Sequence, residues 1–194
     1  MNRFTLSRPA LLLGLLLAGF AAQAQSPWPS QSIYNVEAVL VNQSGQQHGL
    51  EVYHGHPVLI TMFYGSCPAT CPLLMDTIRS VERTLDERQR KGLRVLMISI
   101  DPERDTTQAL ATLSKDRHVD PSRWTLAHTD SATVRKLAAV LNIQYRRLPD
   151  GEYSHSSIIT VLSPQGEILQ QSSVLGRADA DLVAALGMKE VTGD

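Results

Sequence analysis

Hydrophobic positions fall into blocks whose spacing changes along the chain. Residues 10–22 form an unbroken apolar run behind Arg3 and Arg8. The run is shorter than the ~20 residues a spanning helix needs. Ala22-Gln23-Ala24 has the small-x-small pattern of a signal-peptidase site. We expect a secretory signal over residues 1–24, with an uncleaved N-terminal anchor as the alternative. No cysteine follows the run, which speaks against a lipoprotein anchor. Residues 25–33 read as a flexible leader.

The next blocks alternate between the two periods of regular structure. "SIYNVEAVLV" alternates as a strand, "NQSGQQ" turns, and "LEVY" is a short strand, so an N-terminal β-hairpin is expected. Val58 to Phe63 is a continuous apolar run, which suits a strand buried on both faces. After Cys71, Leu73, Leu74, Ile78, Val81 and Leu85 recur at helical spacing, and Gly92 fits the stop. "RVLMISID" is a second buried strand. Asp105 with Gln108 resembles a capping box opening a helix over 106–118. "WTLAH" is a short strand, and Asp130 suits the cap of a helix over 131–142. "SSIITVLSPQGEILQQSSV" gives two strands around a Pro-Gln-Gly turn, and "RADADLVAALGMK" closes as a helix. This order predicts an α/β protein with a mixed central sheet flanked by helices, built around a βαβ unit. A single domain over 34–190 is expected, without repeats.

Charge adds little to this picture. Eighteen Lys and Arg face nineteen Asp and Glu, and loss of the signal would remove two arginines and no acid. No basic run or stripe suggests nucleic acid or an anionic membrane surface.

The chemistry gathers in "FYGSCPATCPLL", residues 63–74, which holds the only two cysteines, Cys67 and Cys71. A disulfide there would close a loop of a few residues and stabilise little. Pro72 is at home at the first helical position and Cys71 before it at the N-cap, so both sulfurs would sit at the positive end of a helix. Lowering a thiol pKa from ~8.5 to ~6 takes about 3.4 kcal/mol. A helix terminus gives ~0.3–1 kcal/mol and at most ~2. The nearest basic residue in sequence is Arg79. A strongly acidic thiol therefore needs a charge from elsewhere, and a soft metal cation is such a charge.

Two thiolates prefer Cu(I) or Zn(II). Structural zinc wants four protein ligands, and one cysteine pair falls short. Cu(I) is satisfied by two or three soft ligands, and a histidine could be the third. Six compete: His48, His54, His56, His118, His128 and His155. His48, His54 and His56 suit either solvated turns or a weak surface copper or zinc site. His118 lies at a helix end and His128 at a strand end. From periodicity alone, His155 is an ordinary loop histidine.

"FYGSCPATCP", "ISIDPERDT" and "YSHSSIITVLSPQGEI", in this order and spacing, resemble the SCO/SenC copper proteins over residues 34 to 188. The resemblance implies a thioredoxin-like fold and copper held by Cys67, Cys71 and His155. It implies a role in assembling the dinuclear copper centre of cytochrome c oxidase, with thiol-disulfide reductase activity in some members. It also places Asp101 near the site. Ala69, Thr70 and Ser154 stand where an acidic residue is common in the family.

Two functions follow as expectations. In the first, reduced Cys67 and Cys71 take up Cu(I), His155 completes the site, and an oxidase subunit removes the copper by ligand exchange. A Cys67–Cys71 disulfide would abolish binding. Cu(II) is a second candidate form of the metal. In the second, the pair is a thiol-disulfide oxidoreductase acting on partner cysteines. The spacing of three residues and the lack of a proline in "EYSHSS" weigh against it. The expected signal places the protein in the periplasm or another extracytoplasmic space, anchored to the membrane if the segment is not cleaved, with other periplasmic copper carriers or thiol reductants as further partners.

Overall fold

A computed structural model describes residues 26–67 and 70–187, Thr70 by its backbone alone. The expected signal, the first leader residue, Pro68, Ala69 and residues 188–190 lie outside the described residues. Strand β1 (Leu40–Asn42) turns back into β2 (Gln47–His48), giving the expected N-terminal hairpin. The chain continues through β3 (Val58–Phe63), α1 (Thr70–Thr84), α2 (Glu87–Gly92) and β4 (Arg94–Ser99). Then come α3 (Thr107–Asp116), β5 (Trp124–His128), α4 (Ser131–Val140), β6 (Tyr145–Arg147) and β7 (Tyr153–His155). Strands β8 (Ile159–Leu162) and β9 (Ile168–Ser172) and helix α5 (Ala180–Gly187) complete the described chain.

Seven strands form one sheet in the order β2-β1-β5-β4-β3-β8-β9, while among the described residues β6 and β7 pair only with each other. Strands β3, β4 and β5 run parallel, and β8, β9, β1 and β2 add antiparallel edges. The sheet is therefore mixed, as expected. Every residue of β3 is buried, because β4 and β8 cover its two edges and side chains from both layers cover its faces. That is why the sequence reads there as an unbroken apolar run. Its one polar member, Thr61, donates its hydroxyl to the Ile158 carbonyl at 2.7 Å.

Several expected elements change in detail. Leu74, Met75, Ile78 and Val81 form the buried face of α1, and Leu73 points outward, 41% exposed. One helix to Gly92 was expected, but Asp86 opens a second one. Its carboxylate accepts from Gln89 N, and the Gln89 side chain accepts from Asp86 N. Two backbone donors satisfied by local side chains stabilise a new start more than a continuation. The expected strand over 32–41 begins as a 3-10 turn, Ile33–Asn35, capped by Ser32. Ser32 and Ile33 are buried, with Ile33 N–H donating to the Gly166 carbonyl. The fold thus begins inside the expected leader. Residues Leu50–Tyr53 form a 3-10 turn rather than a strand. Thr106, not Asp105, caps α3. Asp130 caps α4 as expected, accepting from Ala132 and Thr133 N–H.

Candidate functional site: a thiol pair and a histidine hairpin

The thiol pair sits where the central strand hands over to a helix. Strand β3 ends at Phe63, and the backbone turns at once, with Cys67 N–H donating to the Tyr64 carbonyl. Helix α1 begins at Thr70, so Cys71 lies inside its first turn and is not the N-cap expected for it. The Cys67 sulfur accepts from Cys71 N–H at 3.4 Å, satisfying one donor of the first turn. The Cys71 sulfur in turn accepts from Tyr64 N–H at 3.5 Å. Both cysteines are reduced and buried. The Cys67 sulfur thus lies at the positive end of the helix, as expected.

Burial raises the Cys71 pKa well above the ordinary thiol range, and the nearby Cys67 and Asp105 push the same way. Without a metal the Cys71 thiol stays protonated at neutral pH.

Beneath this loop lies Asp105. Its carboxylate accepts from Gly65 N–H at 2.8 Å and from the Ser99 hydroxyl at 2.5 Å. A Cβ at position 65 would meet the Asp105 carboxylate at 2.5 Å, so only glycine lets the loop approach so closely. Burial raises the Asp105 pKa, and its two donors pull it back in part. Asp101 is fully buried. One of its oxygens pairs with Arg104 Nε, and the other has no hydrogen-bond partner.

The histidine arrives on a separate element. "YRRLPDGEYSH" folds as a hairpin in which Tyr145 lies opposite His155 and Arg147 opposite Tyr153. Gly151 turns it with φ +85°, a conformation glycine adopts without strain. His155 Nδ1 lies 3.1 Å from the Ser156 carbonyl, which can only accept, so Nδ1 carries the proton. Nε2 then presents a lone pair, and that atom is buried without a partner. Burial lowers the His155 pKa, which favours this neutral ring. His155 also lines a cavity of about 380 Å³ with Gln144, Tyr145, Arg146, Ser154 and Ser156.

Tyr64 stands between the two halves. Its ring meets the His155 ring edge-on at 5.7 Å and the Tyr153 ring at 5.6 Å. Its hydroxyl donates to the Tyr153 carbonyl at 3.3 Å and contacts the Cys67 side chain. Burial, first, and the Cys67 contact hold the phenol protonated.

A family model described as SCO1/SenC matches residues 30–186. The chain belongs to the SCO1/SenC family. The human relative, "Protein SCO1 homolog, mitochondrial", is 30% identical over 136 residues, covering 67% of this chain and 44% of that protein. This SCO1/SenC chain spans about half the length of the first curated relatives it matches. Bradyrhizobium japonicum ScoI, solved with copper bound, superposes with a TM-score of 0.64 at 25% identity, covering 77% of this chain and 94% of that one. BsSco, described as a member of the Sco family of cytochrome c oxidase assembly proteins, gives 0.63 at 20% identity, over 79% of this chain and 94% of that one. The SCO1/SenC chain has the thioredoxin-like α/β fold expected of it.

In this SCO1/SenC fold the two cysteines meet each other, and Tyr64 links Cys67 to His155. Among the described residues no group of three or more His, Cys, Asp or Glu side chains is gathered closely enough to hold a metal. The sulfurs and the imidazole are therefore neighbours across a tyrosine and not a closed ligand set. Four of the other histidines have partners elsewhere in the fold. His48 bonds the Gly49 carbonyl, His54 packs on Trp28, His56 bonds the Gly92 carbonyl, and His128 bonds Thr107. His118 takes a positive φ after α3. Sequence reasoning missed Tyr64, Arg104 and the hairpin. The signal for the hairpin was Pro149-Asp150-Gly151, a turn triplet between alternating segments.

Proposed function

We propose that this protein binds copper through Cys67, Cys71 and His155 and passes it to the dinuclear copper centre of cytochrome c oxidase. The observation that carries the reading is the buried, unpartnered Nε2 of His155, one tyrosine away from a reduced thiol pair. An orphaned buried acceptor is costly, and a ligand that takes up its lone pair removes the cost. Two soft sulfurs and one imidazole suit Cu(I) better than a hard cation, and they fall one ligand short of structural zinc. Copper arrives as cargo. Uptake displaces the thiol proton that burial holds on Cys71, so loading releases protons and is weakened by acid. It also requires the His155 hairpin and the cysteine loop to close across Tyr64. Release reverses these steps when an acceptor offers better-placed ligands. The copper-bound relative and the oxidase-assembly relative support the choice of cargo and destination.

A raised Cys71 pKa weighs against the oxidoreductase reading, since the thiolate is the attacking species. The expected signal would place delivery in the periplasm, where copper carriers and thiol reductants supply metal and electrons.

Anaerobic Cu(I) titration against a competing chelator tests the proposal. One copper per chain is expected. Structural zinc binds with about 10–16 kcal/mol over four ligands, or about 3 kcal/mol each, so Cys67→Ser or Cys71→Ser should weaken binding by more than about a hundredfold. His155→Ala should weaken it less and remove the nitrogen neighbour from the X-ray absorption spectrum. Undiminished copper binding in both cysteine variants would end the proposal.

A further inference from the structure

The hairpin that carries His155 stands outside the main sheet, and one side chain reaches three of its residues. Arg104 follows β4, three residues after the fully buried Asp101. Its Nε pairs with the Asp101 carboxylate. One terminal nitrogen donates to the Gly151 carbonyl at 2.8 Å, and the other lies 3.3 Å from Glu152 Oε1. The guanidinium also lies over the Tyr153 ring, 5.9 Å from its centroid. Gly151, Glu152 and Tyr153 are the turn and the strand start immediately before His155. One planar fork thus grips a buried carboxylate at its base and three consecutive hairpin residues at its tip. Lysine, a single point charge, could not make these contacts together.

The same segment also fastens the other half of the site. Arg104 and Asp105 are adjacent, and Asp105 holds the cysteine loop through Gly65 N–H. The stretch Asp101–Asp105 therefore ties the thiol loop on one side and the histidine hairpin on the other. Asp101 is enclosed, with one oxygen on Arg104 Nε and the other unpartnered, so its tie to the hairpin runs through Arg104.

We propose that Arg104 is a positioning residue that presents His155 to the thiol pair, with Asp101 acting through it as its anchor. The inference rests on His155 being a copper ligand. Arg104 itself touches no metal. It restricts the hairpin so that few arrangements separate the copper-free state from the one in which Nε2 closes on the sulfurs.

The test uses the whole chain with Arg104→Gln, Glu152→Gln, His155→Ala and the Arg104→Gln/His155→Ala pair. Glu152→Gln leaves the Asp101–Arg104 pair intact and guards against misfolding of the arginine variant. In the copper-free protein, amide exchange over residues 144–156 should accelerate roughly tenfold or more in Arg104→Gln, while β3 and β4 amides stay protected. Glu152→Gln should shift the same amides in the same direction by less. Cu(I) affinity should fall roughly 10- to 100-fold in Arg104→Gln, as for other groups that orient a ligand, with weaker nitrogen coordination in the X-ray absorption spectrum. In the His155→Ala background the arginine change should cost no more than about twofold, because both act through one imidazole. Unchanged hairpin exchange, or an equal affinity loss with and without His155, would overturn the inference. Wild-type affinity and nitrogen signal in His155→Ala would instead overturn the ligand reading itself, and with it the inference.

Discussion

The two halves of the site are held by different physics. Cys67 and Cys71 follow directly from β3, whose six residues are all buried, and lead into α1, whose inner face is aliphatic. The sulfurs are fixed by the same packing that stabilises the whole domain. His155 rides on two strands of three residues each that, among the described residues, pair only with each other. Its position rests on a guanidinium fork, an exposed Arg147–Glu103 ion pair, one phenol and a few ring contacts. A short two-stranded ribbon is marginal by itself. Such a division separates what sets stability from what sets the place of the imidazole.

The largest way to break the comparison is to damage the first half. Ile60→Ala, in the middle of β3, should cost about 2–5 kcal/mol in urea denaturation, the usual toll of emptying a core site. If the halves are independent, the folded fraction should still bind Cu(I) within about threefold of wild type. A large affinity loss would show that the core sets the hairpin as well. A smaller change probes the joint. Tyr64→Phe keeps the ring but removes the hydroxyl that reaches Tyr153 and Cys67, worth about 0.5–1.5 kcal/mol. That loss should appear as faster amide exchange in Tyr145–Arg147 and Tyr153–His155, with β3 and β4 unaffected. Equal acceleration in both regions would erase the distinction.

The smallest effect concerns a weakness inside the rigid half. Burial raises the Asp105 pKa above its ordinary carboxylate value. In the window between those two values the native state holds more protons than the unfolded chain, so Asp105 lowers stability as pH rises through it. Asp105→Asn keeps an acceptor for Gly65 N–H and removes that slope. Denaturation of both proteins across mildly acidic to neutral pH should show the variant gaining on wild type as pH rises, then levelling. A difference independent of pH would assign the buried carboxylate no linkage.

What could be read in advance follows the same division. Strand β3, strand β5 over Trp124–His128 and the Asp130 cap were legible, because burial on both faces and local capping leave direct marks in residue order. The break at Asp86 was hidden because the polar run after Leu85 carries no apolar period of its own to mark a new helix, although the capping partner Gln89 was there to see. Asp105 suited a helix cap, and only the fold shows that Ser99 and Gly65 compete for it and win. Periodicity made His155 one loop histidine among six. Its tie to Cys67 through Tyr64 depends on contacts between residues about 90 positions apart in the chain, which no local pattern records.

Gly151, Glu152 and Tyr153 meet Arg104 beyond the margin of the seven-stranded sheet. Exchanges among these surface-side positions leave the interior untouched. Descendants of this gene can therefore tighten or slacken the hairpin's attachment in single steps, each of which still yields a well-folded chain.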